Sequence, residues 1–363
     1  MAVFNGQLKS NEIFAGLYNM IISQQVFADN FKHNVSELVD MARVDGSLYG
    51  DTKLYYSVDV LHSTPWGNDA EAPNLLKLHR PEDPEVQAIR LDVFRKIALT
   101  VDNYLSKRAW GTEGAFSSFT SVMLGMIRET KKVYDATTYN VFIGTTKSSV
   151  DTENVEIDVT TAVGDATGEA AARIKGQTIA EGIAKIISRL KDYSRDYNDY
   201  GNLRSYSIDD LVFVFNEDLV AEIEKRDLPT IYHDQIVEQM GKNSLPARYF
   251  GTVVAGAVTG DGSKRSTIEQ TVTKSGSPDK EVFAGDIIPT GYAGASGTGY
   301  TNDAKVLCKI YHKGPNSVPF MSAFEVGTSF YNPLSLTENH YLIWGHNTLE
   351  YLKNYPFITV SIK

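Results

Sequence analysis

Ile89, Leu91, Val93, Ile97, Leu99 and Val101 occupy every second position of one continuous stretch, and only Arg95 interrupts that face. Successive side chains of a strand point to opposite faces, so strict alternation marks a half-buried β-strand, here about twice the usual ~5–6 residues. A shorter alternating run precedes it, with Leu54, Tyr56, Val58 and Val60 on one face of a strand near 53–62. Between the two lies a polar, proline-broken stretch from Ser63 to Glu85. The pair reads as a long two-stranded excursion with a wide tip. An isolated hairpin is marginally stable in water. The expectation is therefore that this one rests on a neighbouring copy of the same chain.

At 363 residues and 42% hydrophobic content, the chain can bury a real core in one large or two ordinary domains. It carries 20 Tyr and 16 Phe. The net charge of −10 argues against a protein whose main task is gripping a nucleic-acid backbone, because that affinity comes from Lys and Arg neutralising phosphates. A single cysteine, Cys308, excludes an intrachain disulfide and a Cys-based zinc site, and fits a reducing, cytoplasmic origin. No positively charged start followed by an apolar block, and no run of ~18 apolar residues, occurs. The expectation is neither a signal peptide nor a membrane span.

Along the chain, residues 1–50 are mixed and interrupted by Gly6, Gly16, Gly46 and Gly50, which suggests an extended arm with one short helix. After the excursion, Phe116, Phe119, Met123, Met126, Ile127, Thr130, Val133 and Tyr134 fall at steps of three and four. That spacing predicts an amphipathic helix of about six turns over 113–135. Short strands are expected at Tyr139–Gly144 and at Val155, Ile157 and Val159. A second long helix is predicted from Glu169 to Tyr200, with Ile179, Ile183, Ile186, Ile187, Leu190, Tyr193 and Tyr197 as its stripe. Leu211–Phe215 is apolar on both faces and reads as a central buried strand. Asn216 would cap the helix that follows, Glu217 and Asp218 suit its positive end, and Pro229 would stop it. From 251 to 304, Gly, Ser and Thr dominate and short strands between turns are expected; Phe357–Ile362 forms a last strand.

Reactive chemistry is sparse. His33, His62, His79, His233, His312, His340 and His346 form neither a His-x-x-x-His nor a His-Glu-x-x-His pattern, so no metal ligands are assigned. No Gly-x-Ser-x-Gly elbow or Gly-Lys-Ser/Thr loop exists, and Gly297-Thr-Gly299 lacks a third glycine and a following helix. The acids at Glu82–Glu85 and Asp209–Asp210 read as solvated turns, and Lys131, Lys132, Lys191 and Arg195 as partners of nearby acids. No catalytic residue, metal or cofactor is assigned. Trp66 stands apart, because an exposed Trp on a projecting tip either docks on a partner or packs back on its own hairpin.

The passage Ile97-Ala-Leu-Thr-Val-Asp-Asn-Tyr-Leu-Ser-Lys-Arg-Ala-Trp110 leading into Phe116-Ser-Ser-Phe119 is similar to the loop-to-helix passage of tailed-bacteriophage major capsid proteins with the Hong Kong 97-type fold. Leu211 to Leu219 resembles the strand of their axial domain entering a helix. The order of elements matches that family too. The resemblance implies an α+β fold with an N-terminal arm at 1–52, an extended loop at 53–106, a spine helix and peripheral domain at 107–165 completed by 338–363, and an axial domain at 166–337. It implies copies assembled into hexamers and pentamers of an icosahedral shell in the virion, assembly in the host bacterial cytoplasm, a separate scaffolding protein and a portal. It further implies enclosure of DNA without sequence-specific recognition, and no membrane partner. Some family members crosslink through a loop lysine and a neighbour's asparagine; Lys77 lies in the loop, and no matching Asn or catalytic Glu is assigned. Trp66, Lys77 and Arg95 are the expected subunit-contact residues, Arg95 meeting an acidic group on the next subunit. Two other classes stay open: a nanocompartment shell or tail component, and a hydrolase with Gly-rich loops near 256–299.

Overall fold

The computed structural model describes residues 37–45, 51–63, 65, 78, 80–102, 113–223, 243–302 and 305–363. In chain order, α1 (Glu37–Ala42), β1 (Arg43–Asp45), β2 (Thr52–Ser57) and β3 (Glu85–Asp102) precede helix α2 (Glu113–Thr145). Next come β4 (Asn154–Ile157), α3 (Val159–Val163), α4 (Gly168–Lys191), β5 (Leu211–Asn216) and α5 (Glu217–Ile223). Small strands follow: β6 (Ser244–Leu245), β7 (Gly251–Val253), β8 (Val258–Thr259), β9 (Lys264–Ser266), β10 (Gln270–Val272), β11 (Lys280–Val282), β12 (Ala293–Gly294) and β13 (Gly299–Asn302). The chain closes with β14 (Val306–His312), β15 (Phe320–Asn332), β16 (Thr337–Asn347) and β17 (Phe357–Ile362).

The alternation at 89–101 does produce a long strand, the 18-residue β3. Its partners lie within its own chain: β2 pairs with Glu85–Arg90 and β16 pairs with Leu91–Asp102, both antiparallel. The first sheet runs β1-β15-β16-β3-β2. Because β3 alternates, its odd-numbered residues share one face, and α2 covers that face. Ile127 and Tyr134 of α2 form a buried cluster with Leu342 and Trp344 of β16, against which Ile97 and Leu99 pack. The expected support of β3 by a neighbouring copy is thus replaced, on this face, by the chain's own helix. The expected strand at 53–62 is also shorter, since β2 ends at Ser57.

Helix α2 has 33 residues and extends past Tyr134 through the stretch Tyr139–Gly144 expected as a strand. Its last three turns are buried nearly all round, so the polar face that would betray a helix is missing there. Tyr139, Val141 and Ile143 pack with Val212, Val214, Phe320 and Phe357. Thr137 and Thr145 return their hydroxyls to the carbonyls of Val133 and Val141, both at 2.8 Å, which satisfies them without water. Gly144 is required: a Cβ there would sit 2.1 Å from the carbonyl oxygen of Tyr249.

The second sheet runs β4-β17-β14-β5-β6. Every residue of β5 is buried, as its doubly apolar sequence requires. Leu211, Phe213 and Phe215 face α4 through Ile179, Ile183, Ile186, Ile187 and Leu190, while Val212 and Val214 face α2. Asp218 donates its N–H to Asn216 Oδ1 at 3.3 Å, as a helix cap does; Pro229 lies outside the described residues. Helix α4 stops at Lys191, short of Tyr200, because Asp192 and Ser194 bond the N–H groups of Tyr193 and Asp196 and divert the backbone. Val159 begins α3, capped by Asp158, instead of continuing β4. Residues 251–302 form three small sheets around Val258, Val272, Val282, Ile288 and Tyr292. No described helix is long and apolar enough to cross a membrane.

Candidate assembly surface

In β2 the alternation faces the opposite way from what a subunit core needs. Leu54 and Tyr56 point outward and are 51% and 63% exposed, while the neighbouring Ser57 is buried. Across the ladder Leu54 stands opposite Ala88 and Tyr56 opposite Val86, so the outward face of the β2–β3 ladder is apolar on both strands. Val58, Val60 and Leu61 continue the exposure beyond the strand. A contiguous apolar strip rimmed by polar residues marks an interaction surface, since isolated exposure would cost solubility.

The strip is held firmly from beneath. Ser57 Oγ donates to Asn354 Oδ1 and accepts from Asn202 Nδ2 at 2.6 Å. Arg204 donates to the Val58 carbonyl at 3.0 Å and to Asn354 Oδ1 at 3.2 Å. Asp59 accepts from the Leu203 N–H at 2.9 Å and from the Arg195 guanidinium. These bonds, the Leu203 N–H first and Arg195 next, hold the Asp59 carboxyl down at about 2. Gln87 of β3 adds a pair of bonds to the Tyr351 carbonyl and the Lys353 N–H, at 3.1 and 3.0 Å.

A second exposed apolar group sits at the turn between β15 and β16, where Phe330, Tyr331, Leu334 and Leu336 are open to solvent and Leu334 is 96% exposed. Leu336 holds a φ of 54°, unusual for a residue with a side chain. Among the described residues, β1 pairs with β15 only at Phe320–Ser322, so the outer edge of β15 past that point is an open edge. Open edges of this length join other chains unless covered.

Of the residues singled out by sequence, Arg95 lies on the helix-covered face, 33% exposed, with Glu269 of the same chain at 2.5 Å and the Tyr134 ring 4.9 Å away. Within the chain its acidic partner is Glu269. Trp66 and Lys77 lie outside the described residues. His340 and His346 fall on one strand, β16, about 20 Å apart at six residues, too far to share a ligand. His346 is buried, and burial holds its imidazole below the ordinary value, so it accepts the Tyr134 hydroxyl at 2.9 Å as a neutral ring. Lys131 meets Asp135 and Glu325, each at 3.3 Å. Cys308 is buried in β14 and burial pushes its thiol up to about 12. Among the described residues no three His, Cys, Asp or Glu side chains gather as metal ligands would. The anchor of Ser57, Asp59, Asn202, Arg204 and Asn354 had no sequence signal, because its hydrogen bonds join segments 144 to 297 residues apart along the chain.

Residues 2–359 match the family described as Phi29-like phage major capsid protein. Among solved structures, the chain is similar to one in the capsid structure of Staphylococcus phage Andhra, with a TM-score of 0.63 at 11% identity, covering 94% of this chain and 87% of that one. A chain in the structure of the head fiber and inner core protein gp22 of native bacteriophage P68 is similar at a TM-score of 0.59 and 11% identity, with 93% and 87% covered. At such identity these two show a shared fold. Comparison with curated proteins returned no match.

Proposed function

Because the chain belongs to the Phi29-like phage major capsid protein family, and is a structural protein of a tailed-phage virion, we propose that copies of it close a shell by burying the apolar strip of Leu54, Tyr56, Val58, Val60, Leu61 and Val86 against neighbours. The observation that carries this reading is the outward apolar face of the β2–β3 ladder, braced on its inward side by Ser57 and Asp59. Many weak, repeated contacts of this kind suit heterologous interfaces that close into hexamers and pentamers. In this reading 1–52 is the N-terminal arm, 53–106 the extended loop, 107–165 with 338–363 the spine helix and peripheral domain, and 166–337 the axial domain. The strand pairings favour two adjustments: β15 joins the peripheral sheet with β3 and β16, and β4 with β17 joins the axial sheet with β5 and β14.

The chain works without catalysis or cofactor in this reading. A separate scaffolding protein and a portal direct assembly in the host cytoplasm, and the acidic shell encloses DNA without reading its bases. Trp66 and Lys77 belong to the loop that reaches the neighbouring copy. Negative-stain microscopy of the expressed chain alongside size exclusion tests the reading. Closed particles are expected; a monomer at every concentration and salt contradicts it, and open helical tubes would favour a tail component.

A further inference from the structure

Residues 193–206 connect α4 to β5 as a loop that touches three separate parts of the chain. On one side it carries the groups that hold the base of the projecting loop: Arg195 and the Leu203 N–H on Asp59, Arg204 on the Val58 carbonyl, and Asn202 on Ser57. On the other side it is seated on 148–154 and 351–355. Thr152 donates to the Asp196 carbonyl at 2.6 Å. Ser149 and Tyr351 donate their hydroxyls to Asp199 Oδ2 at 2.8 and 2.9 Å, and Tyr206 donates to the Asn354 carbonyl at 3.2 Å.

Glu153 lies beneath this seat. It has no exposure at all, and neither carboxylate oxygen has a hydrogen-bond partner among the described residues. The Ser148 hydroxyl and the Phe357 N–H approach it without reaching good geometry. The charged and titratable groups facing it are Asp199, Tyr197 and Tyr206, with Arg189 behind Tyr197 and Arg204 behind Tyr206. Among the described residues the full charge acting on it is another carboxylate, Asp199, and no cation does so. Asp199 Oδ1 is itself buried without a donor. A buried carboxyl so placed is tolerated as the neutral acid and is costly as the anion.

We propose that Glu153 and Asp199 form a proton-held seat for residues 193–206, so that losing the Glu153 proton loosens this segment and, through Arg195, Asn202, Leu203 and Arg204, frees the base of the projecting loop at 57–59. Burial, and secondarily the Asp199 charge, raise the Glu153 carboxyl from 4.5 to about 7. With the seated state binding the proton more tightly than the open state, seating is strongest below pH 4.5 and weakens as pH rises through about 7. The Asp59 anchor stays charged throughout that window.

The test is hydrogen–deuterium exchange on the unassembled full-length chain at pH 6 and pH 8.5, corrected for intrinsic exchange, in wild type, Glu153→Gln and Asp59→Asn. It reads the folded subunit alone, so its outcome is independent of whether shells close. In wild type, segments 57–63 and 193–206 should open about tenfold more at pH 8.5, the ratio that proton linkage gives for this shift. Glu153→Gln should abolish that dependence, and Asp59→Asn should open 57–63 at both pH values while leaving 148–154 protected. Should Glu153→Gln fail to fold, Asp199→Asn serves, because removing the facing negative charge eases ionisation of Glu153 and moves the transition to lower pH values. The same pH response in Glu153→Gln as in wild type, or none in wild type, overturns the proposal.

Discussion

Arg95 interrupts the apolar face of β3 where that face passes under Tyr134 of α2, and it meets Glu269 there. The break was visible in sequence; the partner was not, because it lies 174 residues further on. With both side chains about one-third exposed, solvent screens the pair. A double-mutant cycle of Arg95→Ala and Glu269→Ala should therefore return a coupling of about 0.5–1 kcal/mol, read from urea midpoints. Coupling near zero would mean the pair only decorates the contact between residues 251–302 and β3. Glu153 had no sequence signal either, being one acid among many until folding buries it. Its carboxyl, raised to about 7, adds stability that is full below pH 4.5 and lost as pH climbs through 7. Relative to Glu153→Gln, wild type should lose about 3 kcal/mol between pH 4.5 and pH 8.5. Parallel stability curves for the two proteins would contradict this.

Among elements, β3 and α4 were legible because their apolar residues repeat with one clear period, two for the strand and near 3.6 for the helix. The end of α2 was not. Tyr139–Gly144 is apolar but for Asn140, which is buried as well, and a short run buried nearly all round carries no period to separate helix from strand. The packing of α2 on the first sheet centres on Trp344, whose ring meets Tyr134 edge-on at 5.7 Å and whose indole N–H has no acceptor among the described residues. Trp344→Ala should cost about 3–5 kcal/mol by opening a cavity. Trp344→Phe keeps most of the volume and removes an unsatisfied donor, so it should cost less than about 1.5 kcal/mol. Thermal or urea unfolding separates the two. Gly144→Ala should cost about 1–3 kcal/mol, since its Cβ would strike the Tyr249 backbone.

For the whole molecule, the order of elements was readable, while the pairing was not. Sequence showed two strands flanking a wide excursion; folding added β15 and β16 from more than two hundred residues away, covered the inner face of β3 with α2, and left the outer face of β2 bare. Among the described residues of the excursion, the surface that a neighbouring copy would cover in the proposed shell is the strip from Leu54 to Leu61 and Val86. Those side chains contribute little to the lone subunit. The double variant Leu54→Ser, Tyr56→Ser should fold like wild type and yet fail to build particles. The decisive measurement is electron microscopy of that variant beside wild type at equal concentration, with unfolding curves for both: closed shells from wild type and only stable, folded subunits from the variant are predicted, and a variant that closes shells as readily as wild type would contradict the account.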